Sequence, residues 1–413
     1  MAEHLYLLLG PFLAWDVGLY VMRRRGDRDE ARRQLILRHF TEEDVAIGRA
    51  FAQQRNRLFP FSRALFYLFF GALLFGGVAA RAEQQVLALV GGNWALALPL
   101  FVLLLLVARG LLYLPLEAYA EFVVQRRAGL SNITVPLWIA DQLKGLVLGA
   151  VLASIFALPV VALVRYLPGW WPAPAAATVL LVTAFTVWIS PWVIAPLFNR
   201  FTPLDDEELA RKVRELTRRA GLAVHRVFVT DASKRSSMLN AYFTGLGNSR
   251  RVVLYDTLVE ACEPGEILSV VGHEVGHWRG RHIAKGFALQ AVGTVAGLLV
   301  LQALLENTPL RLALGLPEPH SLALLVLLPF QGALASTVAA PVGAAISRRF
   351  EREADQDAFD LTGDPEAFVR LEQRLVRRAK ADLLLPRILH TWYGTHPLPE
   401  DRIAAAEAWR AGR

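Results

Sequence analysis

The sequence predicts a mainly α, polytopic membrane protein with seven transmembrane helices and a small cytoplasmic α+β segment. Three observations predict it. Hydrophobic residues make up 54% of the 413 positions, and they gather in blocks of about twenty, the length that crosses roughly 30 Å of hydrocarbon. Arginine is alternately dense and sparse in the connections between those blocks. Two stretches, 199–283 and 347–413, carry charge in patterns that belong in water.

The apolar blocks are 5–22, 62–80, 94–114, 146–166, 175–198, 284–305 and 322–346. The first lacks a basic leader and is followed by Arg23, Arg24 and Arg25, so it reads as a retained span rather than a cleaved signal. Prolines at 99, 191, 196, 329 and 341 are tolerable where neighbouring helices re-satisfy the backbone. Residues 23–59 hold ten arginines, whereas 81–93 hold only Arg81 and 306–321 only Arg311. That alternation survives all seven crossings and predicts an outside N-terminus and a cytoplasmic C-terminus. The chain then divides into spans one to five (1–198), a cytoplasmic α+β segment (199–283), spans six and seven (284–346) and a helical cytoplasmic tail (347–413).

Composition also narrows the partners. The net charge is +7, but the arginines sit beside apolar blocks as topology determinants do, so a lipid bilayer and not nucleic acid is the expected partner. Arginine richness points to a bacterial cytoplasmic membrane. The single cysteine, Cys262, forbids an internal disulfide and leaves His, Asp and Glu to hold any metal. Asp16, inside the first block, either faces a polar interior or lies near a span end; composition leaves both open.

Within 199–283, Asp205–Ala220 reads as an amphipathic helix with acids in its first turn and Arg218 and Arg219 in its last. Two β-rich runs follow, 226–230 and 251–256, with Asn240–Gly245 between them, which predicts a small sheet. Pro264 opens a further helix. That helix carries His273-Glu274-Val275-Gly276-His277, an H-E-x-x-H motif. Residues i and i+4 share a helix face, so both imidazoles reach one ion, while Glu274 addresses a water beside it. A catalytic zinc needs a third protein ligand. His282 falls nine residues after His273, one short of the ten in the His-rich metalloprotease pattern, and is set aside as a ligand. The stretch 347–355 offers Glu351 and Asp355 at i and i+4, one to bind and one to orient a histidine. Spacing alone does not choose Glu351 over Glu353.

These motifs together resemble the Ste24-type CAAX prenyl protease family of membrane zinc metallopeptidases. The resemblance rests on Lys234-Arg235-Ser236-Ser237 followed by 240–245, on Arg251–Leu258, on His273–Trp278, on Ser347–Glu351 with Ala354-Asp355, and on His396-Pro397 with Arg402. It implies a gluzincin-like catalytic segment that hydrolyses peptide bonds with one zinc ion per chain. His273, His277 and Glu351 would bind that ion and Glu274 would be the catalytic base. Asp355 would be a second carboxylate close by, read here as an orienter of a ligand histidine. His396 would stabilise the oxyanion, and Asn240, with Ala241 and Tyr242, would meet the peptide backbone. The sequence departs from the family at Met238 and Leu239, and at Arg352 and Glu353, which replace an aromatic residue and a glutamine. Two other readings are an HtpX-like quality-control protease, which has fewer spans, and a transporter or scaffold with a structural zinc. Whether the substrate is prenylated is not written in the sequence.

Overall fold

Six helices among the described residues are long and apolar enough to cross a membrane: Glu42–Phe75, Trp94–Gln125, Val135–Tyr166, Pro172–Ile189, His282–Glu306 and Leu324–Thr362. The structure, a computed structural model, describes residues 2–244 and 250–412, with backbone alone for 2–9. Gly245, the end of the predicted 240–245 run, lies outside the described residues. The first predicted block falls in a separate helix, Ala2–Arg25.

Three block limits differ from the sequence reading, each for a local reason. The 62–80 block ends at Phe75, and Gly77 at φ 64° turns the chain into a second helix, Val78–Leu89. The left-handed backbone there suits glycine. The 175–198 block stops at Ile189 because Pro191 has no N–H to continue the ladder, and Ile194–Phe198 forms a detached turn. The last block does the opposite. Its helix runs unbroken for 39 residues, from Leu324 to Thr362, until Gly363 at φ 66° ends it. At 1.5 Å per residue that is about 60 Å, twice the hydrocarbon thickness, so its final turns project beyond it.

The buried apolar core of the bundle lies at one end. Leu74, Leu98, Phe101, Val161, Ala175, Leu301, Leu324 and Leu327 all belong to it. They come from the end of the helix closing at Phe75, the starts of those opening at Trp94, Pro172 and Leu324, and the ends of those closing at Tyr166 and Glu306. At the opposite ends the same helices leave Leu143, Phe185, Ile283, Val292 and Val342 exposed.

That opposite end carries a four-stranded sheet, β1 (Phe201–Pro203), β2 (Arg226–Thr230), β3 (Ala241–Thr244) and β4 (Arg251–Tyr255), in the order β1-β2-β4-β3. β2 and β4 are parallel; β1 and β3 are antiparallel edge strands. β1 was not foreseen, since three residues are too few to show a period. Alternation puts Val227, Ala241, Val252 and Leu254 on one face, where they meet Val213 and Leu216 of the helix Glu207–Arg219 and Ile267, Val271 and Val275 of the helix Pro264–Arg279. Asp206 caps the first of these through Leu209 N–H, and Glu263 and Glu266 form a capping box on the second. Two tail helices, Pro365–Ala379 and Pro399–Ala411, complete this end.

Candidate metal centre

The centre forms where the helix Pro264–Arg279 crosses the projecting part of the long helix Leu324–Thr362. Small residues allow the crossing. A Cβ on Gly276 would fall 2.6 Å from the Ala354 Cα, and one on Gly272 would fall 3.2 Å from the Ala358 Cα. Gly272 and Gly276 are one turn apart, as are Ala354 and Ala358, so two short ridges meet nearly backbone to backbone. Contact at that distance brings the side chains one turn from Ala354 onto the histidines.

Glu351 arrives there, and Glu353 does not. The Glu351 carboxylate lies 3.3 Å from His273 Nε2 and 3.4 Å from His277 Nε2, and the two Nε2 atoms are 3.1 Å apart. The ligand atoms of these three residues fall within 4.8 Å of one another. Glu353 points away, to His282 and Arg349. The donor set fits a divalent cation. Glu351 Oε2 is buried without a hydrogen-bond partner, and the two imidazoles, once deprotonated, would aim lone pairs at one point beside it, a place suited to a positive charge.

Each histidine is held from behind. His273 Nδ1 lies 2.8 Å from Asp355 Oδ1, and Asp355 receives a bidentate pair from Arg402, Nη2 at 2.6 Å and Nε at 2.9 Å. Arg402 also donates to the buried Glu372 at 2.8 Å. Burial opposes the charge on Arg402, but Glu372 and Asp355 outweigh it and hold the guanidinium protonated. Burial likewise pulls His273 down, yet Asp355 and Glu351 raise it to about 9. Glu274 is pushed above the ordinary carboxylate range by burial, and the two histidines partly offset this. His282 is not among the converging ligands; its Nδ1 sits 2.9 Å behind His277 Nδ1.

His396 comes to the same point from the tail, its Nε2 3.4 Å from Glu351 Oε2 and its side chain 62% exposed. Its loop is tied down by Arg348, which donates to the carbonyls of His390 and Gly394, and by a 2.8 Å contact from His390 Nε2 to the His396 carbonyl. Asn240 is exposed immediately before β3, and its Oδ1 accepts from Ala241 N–H. Ala241 turns its side chain into the core, while Tyr242 packs edge-on against Tyr255 on the other face. Among the described residues β3 pairs only with β4, which leaves its outer edge open there. In the sequence Arg402 belongs to a motif, whereas Glu372 belongs to none. A lone acid on an arginine-rich helix gives no signal until its partner is known.

Residues 203–410 match the sequence profile of peptidase family M48. The chain belongs to that family. Residues 33–200 match a second profile, described as the CAAX prenyl protease N-terminal region with five membrane helices. The uncharacterized metalloprotease YhfN of Bacillus subtilis is 30% identical over 367 residues, 88% of this chain and 85% of that one. CAAX prenyl protease 1 of Saccharomyces cerevisiae is 37% identical over 47% of this chain and 43% of its own length. The CAAX prenyl protease 1 homolog of Mus musculus is 26% identical over 95% and 92%. The solved S. mikatae Ste24p shares the fold, with a TM-score of 0.79 at 24% identity over 95% of this chain and 96% of that one. This M48 peptidase is accordingly a multi-pass membrane metalloprotease.

Proposed function

We propose that the protein is a zinc endopeptidase in which His273, His277 and Glu351 hold one zinc ion per chain. The observation that carries this reading is the convergence of those three side chains within 4.8 Å, at the end of the bundle where an open sheet edge also lies. When bound, zinc supplies a Lewis acid and lowers the pKa of nearby water. The chain does the rest. Glu274 takes a proton from a water as its oxygen bonds to the peptide carbonyl carbon, and returns it to the leaving nitrogen as the C–N bond breaks. Burial raises its affinity for that proton. His396 Nε2 donates to the carbonyl oxygen as charge develops on it. Asp355, fixed by Arg402, orients His273.

The substrate is a peptide lying along β3 from Asn240 through Ala241 and Tyr242, its backbone adding to the open edge. Prenylated peptides, on which the relatives' names centre, are one substrate class for this site. The match of 33–200 to the CAAX protease N-terminal region favours this over an HtpX-like enzyme, and Glu274 would have no use in a structural zinc site. The helix Ala2–Arg25 is the seventh span, and arginine distribution sets the N-terminus outside, with the sheet and tail in the cytoplasm of a bacterial cell.

The test is Glu274→Gln. Both forms should purify with one zinc per chain by elemental analysis, while cleavage of a peptide substrate falls by about 10²–10⁴-fold in the variant. Comparing new protein ends in membranes carrying either form would then identify natural substrates. Wild-type turnover by the variant would overturn the assigned base, and a metal-free wild type would overturn the centre.

A further inference from the structure

The two histidines of the centre are backed differently. His273 meets a carboxylate directly, but His277 meets another imidazole. We infer that a neutral His282 imidazole and the Glu353 carboxylate form a hydrogen-bonded relay that locks His277 in its Nδ1–H tautomer and so aims its Nε2 lone pair at the metal. This rests on the zinc reading above and adds positioning residues to it.

The proton assignment follows from geometry. His277 Nδ1 and His282 Nδ1 face each other at 2.9 Å, so one must donate and the other accept. A metal ligand at Nε2 needs its lone pair there, which puts the His277 proton on Nδ1. His282 Nδ1 is then the acceptor and its own proton sits on Nε2. That nitrogen lies 3.1 Å from Glu353 Oε2, an acceptor. The reverse arrangement, with His282 donating from Nδ1, would place the His277 proton on Nε2, where it would block the ion.

The surrounding chain holds this ring in place. Arg281 adopts a left-handed backbone at φ 52°, uncommon for a side-chain-bearing residue, and this breaks the chain between the two helices. That break lets a histidine nine residues after His273 lie behind His277. Phe350 stacks on the His282 ring at 4.2 Å and 8°. Gly280 leaves it room, since a Cβ there would fall 2.2 Å from His282 Nε2. Glu353 is itself anchored by Arg349 at 2.9 Å, with Lys285 at 3.8 Å.

Three full-length variants test the relay by zinc affinity, measured against a competing chelator, and by the absorption bands of the cobalt-substituted protein. His282→Phe keeps an aromatic ring to stack on Phe350 but offers no nitrogen. It should weaken zinc by about 10–100-fold and alter the cobalt bands. Glu353→Ala should weaken zinc in the same direction. Glu353→Gln keeps an oxygen acceptor and should stay within about fivefold of wild type. Wild-type affinity and spectrum in His282→Phe would reduce the ring to packing and overturn the relay while leaving the zinc centre standing. A wild type that binds no zinc would instead overturn the centre itself.

Discussion

The two ends of this molecule are held together by different physics. At the end remote from the sheet, the bundle closes mainly on leucine, valine, alanine and phenylalanine, with a few hydrogen bonds such as those from Leu322 N–H to Glu83 and from Arg311 to the Leu316 carbonyl at its margin. At the sheet end, two helices touch through Gly272, Gly276, Ala354 and Ala358, and around that contact stand His273, Glu351, Asp355, Glu372 and Arg402. An apolar core loses stability in proportion to the atoms removed. A buried charge cluster on a close helix crossing fails as a unit, because each group left without its partner keeps its full desolvation cost. The candidate centre is placed where replacement is least forgiving.

Four experiments break or sharpen this contrast, from the largest effect to the smallest. Gly276→Val puts branched carbon where the Ala354 backbone lies and should abolish metal retention altogether, read by elemental analysis of the purified protein; stoichiometric metal would show that the helices can part without losing the site. Arg402→Gln strands Asp355 and Glu372 and should cost about 3–5 kcal/mol of stability at the sheet end, read by thermal denaturation in detergent. Leu98→Ala, at the remote end, should cost about 2–5 kcal/mol yet leave metal content unchanged, and lost metal would mean that the two ends are not independent. The smallest effect is a pH dependence. Below about 9 the metal-free His273 is protonated, so binding must expel a proton; apparent affinity should rise by about tenfold per pH unit and level off above that value. Chelator competition at several pH values reads the slope, and a flat profile would deny His273 its place as a ligand.

Much of the candidate site's local geometry was legible in the sequence. The H-E-x-x-H spacing is a property of one helix, and the blocks behind the six membrane-length helices are runs of residues counted one by one. The block limits were less legible. Ser190-Pro191 ends a helix by removing a donor, which the sequence shows only to a reader already looking for a stop. The long helix runs past the hydrocarbon because nothing in 347–362 interrupts it.

What the sequence by itself determined are features that depend on neighbours within about a turn: the apolar blocks, three of the four strands, and a histidine pair on one face. What only the tertiary structure decided is which partners meet across 82 positions, as His273 and Asp355 do. Glu351 and Glu353 are two residues apart and so sit on roughly opposite sides of one helix. Either could have faced the histidines until Ala354 and Ala358 seated against Gly276 and Gly272. The same crossing set Glu353 beside His282 and gave that residue a place behind the candidate metal centre. Helical phase is local; which face is buried depends on what packs against it.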